Sequence, residues 1–180
     1  LVMYPIWQYG SDAQRERWLP ALANGEAIGC FGLTEPDVGS NPAEMQTRAR
    51  RDGDGWVIDG HKRWSTNATI ADVAVIWAKD EDDTVRGFLV ETDRDGVETP
   101  PIDDSWSLRA AVTSEVVLDD VRVPDAARLP EVSGLKGPLS CLTQARYGIC
   151  WGTIGAAMAC FDTARQHAQN REQFGGPIRR

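Results

Sequence analysis

Three short runs of this chain combine hydroxyl, glycine and aromatic residues in patterns that could bind a polar, planar ligand. The first run, residues 31–42, reads F-G-L-T-E-P-D-V-G-S-N-P and leads from a predicted strand into a loop. Backbone N–H groups beside Gly39 and the hydroxyls of Thr34 and Ser40 could donate hydrogen bonds to a cofactor edge or a pyrophosphate. The two acidic residues of the loop would repel a phosphate unless they point away. An ordinary strand-to-turn connection is the alternative interpretation.

The second run, residues 62–67, reads K-R-W-S-T-N and places Trp64 beside two hydroxyls at the end of a predicted strand. A planar heterocycle needs an aromatic face to lie against and hydrogen-bond partners for its polar edge. A core tryptophan followed by a turn is the alternative, since the chain has 7 tryptophans. The third run, residues 171–177, places Arg171 near the end of a predicted helix, where interaction with the helix dipole is a sufficient structural explanation.

The elements that carry these runs follow from local patterns. Ser11 and Gln14 form a capping-box pattern that begins a short helix, in which we expect a break before Pro20 and an end at Gly25. From residue 27 to about residue 124, short apolar segments alternate with turn residues and predict about six to eight antiparallel strands. Two hairpins are expected, with turns at 52–55 and 80–83, followed by a strand over 116–123.

A long helix is predicted from Gly137-Pro138 to a point before Gly175, because apolar residues recur at spacings of three or four. Gly148, Gly152 and Gly155 lower its helix propensity. Close approach of another helix or a ligand would explain these glycines, and tight helix packing is the preferred explanation.

Composition excludes several classes of function. The net charge of −8, with scattered basic residues, argues against nucleic acid as a partner. Apolar stretches are too short for a membrane span. The 4 cysteines make no disulfide scaffold, no metal-ligand spacing is found, and a cytoplasmic setting is expected. Signatures of Walker-type and Rossmann nucleotide binding and of serine hydrolysis are missing.

Taken together, the three runs resemble the acyl-CoA dehydrogenase flavoprotein family, whose motifs are T-E-P-x-x-G-S, W-I-T-N and R-x-x-F-G. The resemblance implies an α+β fold in which an antiparallel β-barrel middle domain is flanked by helical segments. We expect residues 1–26 to end an N-terminal helical domain, 27–130 to form the middle β domain, and 131–180 to begin a C-terminal helical domain. The chain begins without Met and stops after a predicted helix, so we expect a fragment of a longer protein.

Within the family, the chain most resembles glutaryl-CoA dehydrogenases, through residues 30–36, 107–110, 137–138, 141–142 and 145–149. This implies that a carboxylate removes the α-proton of an acyl-CoA thioester while the β-hydrogen leaves as hydride to the flavin, and that decarboxylation of glutaryl-CoA to crotonyl-CoA follows. A short- or medium-chain acyl-CoA dehydrogenase or an oxidase is an alternative. A non-catalytic β binding module is an alternative of another class.

The resemblance also assigns site residues. FAD is expected to contact Phe31, Gly32, Leu33, Thr34, Glu35, Pro36, Asp37, Val38, Gly39, Ser40, Trp64, Ser65 and Thr66. The acyl-CoA substrate is expected to contact Ser40 and Leu139, Ser140, Cys141, Leu142, Thr143, Gln144, Ala145 and Arg146. Arg171 and Phe174 would reach the FAD of a neighbouring subunit, which implies a homo-oligomer, expected to be a tetramer.

Further expectations concern the base, the partners and two departures from the motifs. The family's catalytic base lies in a region expected beyond Arg180, and Glu35 is not assigned that role. Electron-transfer flavoprotein is the expected electron acceptor, with the enzyme in the bacterial cytoplasm or, in a eukaryote, the mitochondrial matrix. Ser65 replaces the Ile or Met usual in the family motif, and Asn41 replaces the usual Asp.

Overall fold

The computed structural model describes residues 1–103 and 105–178, and it divides into two compact units, Leu1–Cys141 and Leu142–Arg180. Its α-helices are α1 (Met3–Tyr9), α2 (Asp12–Asn24) and α3 (Lys136–Asn170). Its strands are β1 (Gly29–Gly32), β2 (Arg48–Asp52), β3 (Gly55–Thr66), β4 (Val73–Lys79), β5 (Val85–Glu91), β6 (Val97–Glu98), β7 (Thr113–Pro124), β8 (Glu172–Gln173) and β9 (Gly176–Pro177).

Strands β1 to β7 form one curled sheet, a half-barrel, in the order β1-β4-β2-β3-β7-β6, with β5 paired to β4. Both predicted hairpins are confirmed, β2 with β3 and β4 with β5. The α+β class is also confirmed, and the described sheet is antiparallel apart from the β1–β4 pair and a single β2–β4 pairing. Strand β1 runs parallel to β4, from the pair Gly29↔Val73 to the pair Gly32↔Ile76. A parallel pair needs a long connection, and the intervening β2–β3 hairpin supplies it.

Helix α2 confirms one expectation and corrects another. The Ser11 side chain accepts a hydrogen bond from the backbone of Gln14, whose side chain accepts one from the backbone of Ser11, and Gly25 ends the helix in the left-handed conformation. The break expected before Pro20 is wrong, because the helix continues through this residue. Proline removes only the hydrogen bond to the Glu16 carbonyl, and the exposure of both residues lets water replace it.

The apolar core lies inside the half-barrel and under the start of α3. Trp77 is fully buried, and its ring is flanked by two glycines that leave room for it. A Cβ atom at Gly137 would lie 2.5 Å from two ring atoms of Trp77, and one at Gly87 would lie 3.0 Å from the ring. The predicted Gly137-Pro138 helix start therefore also serves packing within the first unit.

In the second unit, the predicted long helix is confirmed, but its apolar residues are exposed among the residues described there. Ile149, Met158 and Phe161 are 64% exposed or more. No atom of that described part lies within 4 Å of a Cβ built at Gly148, Gly152 or Gly155. The tight packing preferred for these glycines is thus not met by residues 142–178.

We expect Gly137→Ala to destabilise the fold by about 1–3 kcal/mol, since a methyl group must displace the buried Trp77 ring. Trp77→Phe removes the two ring atoms that the methyl would meet, so the double variant should be less destabilised than the sum of the single variants. Urea unfolding followed by far-ultraviolet circular dichroism measures all three. Strict additivity would contradict the packing described for this glycine.

Candidate functional site

The first two polar runs lie side by side, although they are about thirty residues apart in sequence. Run 31–42 leaves β1 as a loop, and run 62–67 ends β3. Three hydrogen bonds join them: Ser65 Oγ donates to Phe31 O at 3.2 Å, Lys62 Nζ to Leu33 O at 3.3 Å, and the Arg63 N–H to Thr34 O at 2.8 Å. The tertiary structure thus joins these two runs into one surface feature.

A buried ion pair anchors this junction. The Nζ atom of Lys62, which is fully buried, donates to Glu35 Oε1 at 2.8 Å. The same carboxylate accepts hydrogen bonds from the backbone N–H of Gln46 at 2.6 Å and from the N–H and hydroxyl of Thr47 at 2.9 and 2.6 Å. Four donors from two other segments therefore fix the acidic residue of the loop.

The electrostatics of the pair follow from its burial. Burial raises the pKa of the Glu35 carboxyl, but the Lys62 charge and the hydrogen bonds from Lys62, Thr47 and Gln46 lower it more, so that its pKa lies below the ordinary 4.5. Burial lowers the pKa of Lys62 to about 8, despite the adjacent carboxylate. Both groups are charged near neutral pH.

The side chain of Glu35 points into the protein. Its side chain is 5% exposed and is occupied by protein donors, so only its backbone is available to the expected cofactor. The N–H of Glu35 donates to Val38 O at 2.9 Å, and that of Val38 to Glu35 O at 3.2 Å, which closes a tight turn. Pro36 and Asp37 are exposed at the tip of this turn. The Glu35 carboxylate is thereby turned away from the loop surface, whereas Asp37 stays exposed.

The loop continues with exposed Gly39 and Ser40. Among the residues described, no group accepts a hydrogen bond from the backbone N–H of either. Asn41, the departure from the expected Asp, accepts from the Ala43 N–H at 3.3 Å and donates to Glu44 Oε1 at 2.9 Å. It begins the 3₁₀ helix Pro42–Glu44, so the amide fulfils a capping role in the loop.

Trp64 adopts an uncommon backbone conformation at the end of β3. Its φ is +62°, in the left-handed region that large side chains rarely occupy, and a register shift against β7 lies between Lys62 and Ser65. The ring is 56% exposed, with the Arg63 guanidinium 4.9 Å from its centroid. The alternative of a core tryptophan is therefore wrong, and Trp64 offers an accessible aromatic face.

Ser65 and Thr66 point in different directions. Ser65 is buried, and its hydroxyl donates to the Phe31 carbonyl, so the residue that replaces the motif's Ile or Met is satisfied within the protein. Thr66 is exposed. Within the described ranges, the hydroxyls of Thr34, Ser40 and Thr66 form no hydrogen bond to protein. These three hydroxyls, the Trp64 ring and the N–H groups of Gly39 and Ser40 are available to a ligand at the junction.

The residues expected to line a substrate channel divide between the two units. In the first, Leu139 is 40% exposed, and the Ser140 hydroxyl lies 2.8 Å from the Tyr9 hydroxyl and donates to Gly137 O at 2.7 Å. Cys141 is fully buried, its thiol donates to Gly137 O, and burial raises its pKa to about 11. The thiol of Cys141 therefore points into the protein, and the contact expected between this residue and acyl-CoA stays a prediction.

In the second unit, the remaining residues of that set lie along the exposed surface of α3. Leu142 and Ala145 are half-buried, whereas Thr143, Gln144 and Arg146 are exposed. The third run follows the end of the helix as the hairpin β8–β9. Phe174 and Gly175 at its tip have φ values of +54° and +83°, as a two-residue hairpin turn requires. The fully exposed Phe174 ring lies at this tip, and exposed Arg171 immediately precedes β8.

Lys62 and Thr47 are the site residues that sequence reasoning missed. The signal for Lys62 is its spacing of four residues from buried Ile58, although a lysine within a strand is normally expected to face solvent. Thr47 had no signal of its own, because its contact with Glu35 depends on where β2 begins in the fold. No metal-binding cluster and no helix able to cross a membrane is found in the portions described.

Comparisons with known proteins give a consistent result. Residues 1–26, 30–121 and 133–180 match the family models for the acyl-CoA dehydrogenase N-terminal, middle and C-terminal domains. A glutaryl-CoA dehydrogenase from Mycobacterium smegmatis, solved in complex with FADH2, is 54% identical with a TM-score of 0.95 and covers 99% of this chain, which covers 46% of that one.

Two further relatives also match nearly the whole of this chain, at lower sequence identity. The structure of a glutaryl-coenzyme A dehydrogenase glutaryl-CoA complex is 33% identical with a TM-score of 0.92, over 98% of this chain and 46% of that chain. The mitochondrial short-chain specific acyl-CoA dehydrogenase of Rattus norvegicus is 34% identical over 99% of this chain and 44% of the relative. The chain thus spans less than half the length of these relatives.

We expect stability to fall in acid partly through Glu35. A carboxyl whose pKa is lowered on folding stabilises the fold at pH values above its pKa in the unfolded chain, here 4.5. This contribution is lost as the pH falls through the pKa of the folded state. Glu35→Gln should therefore lose less stability than the wild type between about pH 5 and pH 3. Urea midpoints measured across this range test it, with exposed Asp37→Asn as the control. Equal acid slopes for Glu35→Gln and the wild type would contradict the assignment.

Proposed function

Because the chain belongs to the acyl-CoA dehydrogenase family, we propose that residues 1–180 supply the FAD-binding and much of the acyl-CoA-binding surface of a flavin-dependent acyl-CoA dehydrogenase. The observation that carries the proposal is the junction of run 31–42 with run 62–67, which leaves an accessible aromatic face beside unbonded hydroxyls. An apolar face with a few polar edge groups suits a flavin ring system.

The residues present fit FAD. The hydroxyls of Thr34 and Thr66 would bond the polar edge of the isoalloxazine, and the Trp64 ring would cover one of its faces. The N–H groups of Gly39 and Ser40 are available for an anionic or carbonyl oxygen. The Glu35 carboxylate, neutralised by Lys62, opposes no such contact.

The chemistry proposed is α,β-dehydrogenation of an acyl-CoA thioester. FAD, when bound, accepts the β-hydrogen of the substrate as hydride. Hydroxyl donors held at the flavin edge stabilise the negative charge that develops there, and Thr34 and Thr66 would have this role. Ser40, at the exposed end of the loop, would contact both the cofactor and the thioester.

Within these residues, Glu35 is unsuited to act as the base that removes the α-proton. Its carboxylate is buried, accepts four hydrogen bonds and pairs with Lys62, so that it is neither accessible nor basic. A general base must reach the proton it abstracts and have a pKa near the working pH. In line with the family resemblance, we propose that a region beyond Arg180 supplies the base.

Glutaryl-CoA is the proposed substrate, with oxidative decarboxylation to crotonyl-CoA as the overall reaction. The support is the identity of 54% with the mycobacterial glutaryl-CoA dehydrogenase, against 34% with the rat short-chain enzyme. A short- or medium-chain acyl-CoA dehydrogenase and an acyl-CoA oxidase are the alternatives, because the fold is common to relatives of both substrate types.

The proposed partners follow from the exposed hairpin and from the reaction. Phe174 and Arg171 are exposed on the β8–β9 hairpin, and we propose that they contact the FAD of a neighbouring subunit in a homotetramer. Electron-transfer flavoprotein is the proposed electron acceptor. The proposed location is the bacterial cytoplasm, or the mitochondrial matrix if the source is a eukaryote.

Purification and anaerobic reduction of the complete polypeptide test the function. A yellow protein whose flavin is bleached by glutaryl-CoA, with release of carbon dioxide, supports the glutaryl-CoA proposal. Bleaching by butyryl-CoA alone favours the short-chain alternative. Rapid reoxidation by oxygen favours an oxidase. A colourless protein that takes up no added FAD contradicts the proposal and favours a non-catalytic module.

We expect Thr66→Val in the complete polypeptide to slow flavin reduction more than it weakens FAD retention. Loss of one hydrogen bond costs about 1 kcal/mol in binding, and more where charge develops in the transition state. Stopped-flow absorbance measures the reduction rate, and gel filtration measures the retained flavin. Thr69→Val, at an exposed threonine three residues later, is the control. An unchanged reduction rate would exclude the role of the Thr66 hydroxyl.

If Arg171 acts across a subunit boundary, the Arg171→Ala variant should retain less FAD and should assemble less completely into oligomers. Interaction with the helix dipole alone amounts to about 0.3–1 kcal/mol and would leave flavin content nearly unchanged. Arg165→Ala, which removes another exposed arginine of the same unit and its pair with Asp162 at 3.3 Å, is the control. Wild-type flavin content and assembly in Arg171→Ala, by absorbance and gel filtration, would leave only the dipole role.

A further inference from the structure

The Lys62 side chain enters the core where the sequence leaves space for it. Its Cγ atom lies 3.0 Å from the position of a Cβ built at Gly32, and the Ile76 Cδ1 atom lies 2.7 Å from it. Any side chain at Gly32 would therefore displace the lysine stem or the isoleucine. A close approach of backbone and stem delivers the ammonium group to the turn that contains Glu35.

A second glycine, Gly60, leaves space for Thr47, the other side chain that donates to the Glu35 carboxylate. A Cβ at Gly60 would lie 2.3 Å from Thr47 Oγ1 and 2.5 Å from its Cγ2. Without this side chain, Thr47 sits against β3 and donates two hydrogen bonds to Glu35. The pair is thus a built arrangement in which two glycines make room for two side chains that converge on one carboxylate.

The pair adjoins both ligand-facing segments. Thr34 immediately precedes Glu35, and its carbonyl accepts from the Arg63 N–H. Trp64 lies two residues after Lys62 and immediately before Ser65, and both of these neighbours are buried and bonded to the first run. A tryptophan keeps a left-handed backbone conformation only where the surrounding structure enforces it. At Trp64, the hydrogen bonds of Lys62 and Ser65 fix the backbone on both sides.

An apolar pair of the same volume would fill this space without fixing the orientation of the neighbouring groups. Hydrophobic contacts are non-directional, whereas the four bonds of the carboxylate each fix one donor in one direction. Because the ammonium and the carboxylate neutralise each other, the pair also adds little net charge beside the ligand surface. These properties suit alignment of other groups rather than direct electrostatic action on a ligand.

We infer that the buried Lys62–Glu35 pair positions Thr34 and Trp64, so that hydroxyl and ring are held in the geometry needed for flavin reduction. Lys62 and Glu35 are positioning residues that need not touch the cofactor themselves. This inference rests on the proposed function, since the geometry it explains is that of the FAD site.

Glu35→Gln in the complete, FAD-loaded polypeptide tests the inference. The flavin reduction rate at saturating glutaryl-CoA or butyryl-CoA should fall about 10- to 100-fold, as misplacement of reacting groups by about 1 Å produces, while the KM changes little. Asp80→Asn is the matched control. Asp80 is a buried carboxylate that accepts from two backbone N–H groups and from Arg86 at 2.8 Å, and its partners lie outside both runs.

A milder variant keeps the test valid where Glu35→Gln fails to fold. Thr47→Val removes one donor to the carboxylate and keeps the side-chain shape, so it should slow reduction in the same direction by a smaller factor. Lys62→Met with Glu35→Gln removes both charges and should restore folding more than it restores the reduction rate. Rates in Glu35→Gln and Thr47→Val that match those of Asp80→Asn, at equal flavin content, overturn the inference.

The visible circular dichroism of bound FAD reports positioning without turnover. If neither thioester reduces the wild-type flavin, the dehydrogenase proposal fails, and a changed spectrum in Glu35→Gln but not in Asp80→Asn still supports the positioning role. An unchanged spectrum in both variants overturns that role. A wild-type protein that binds no FAD overturns both proposals.

Discussion

The candidate site depends on the burial of one charge, the ammonium of Lys62. A lysine without solvent contact is tolerated only when its charge is paired and hydrogen-bonded. Glu35 and the Leu33 carbonyl supply these partners, and both belong to the loop that follows β1. The loop therefore cannot move away from β3 without exposing an uncompensated charge inside the protein. This constraint fixes the relative position of the two runs on which the proposed function depends.

The fold supports this constraint through its mixed sheet. Strand β4 pairs in parallel with β1 and, at Arg48↔Lys79, with β2, which forms a hairpin with β3. The curled sheet thus brings β1 into contact with β3. Glycines at 32 and 60 then permit the approach of Lys62 and Thr47. A sheet of uniformly antiparallel neighbours in sequence order would not bring the β1 loop to this end of β3.

Two of the six described non-glycine residues with positive φ values have proposed functions. Trp64 and Phe174 both have positive φ values, and both present aromatic rings to the surface. Such conformations are unfavourable for bulky residues and are retained where surrounding structure or function requires them. At Trp64 the surrounding structure is the ion pair and the Ser65 bond. At Phe174 it is the two-residue turn of the hairpin, which gives the ring no contact with the rest of the described unit.

Local chemistry alone determined several parts of the protein. The Ser11–Gln14 cap, the two hairpins and the long helix follow from turn residues and periodicity, which act within a few residues. The motifs T-E-P-D-V-G-S and W-S-T-N also fixed the family, because their order and residue types are specific.

Only the tertiary structure decided the roles of Glu35, Lys62, Ser65 and Cys141. Whether a carboxylate faces a ligand or a buried lysine depends on partners about thirty residues away, and no local pattern encodes that distance. The parallel β1–β4 pair and the uninterrupted helix at Pro20 were decided in the same way, by pairing and solvent exposure that sequence patterns do not specify.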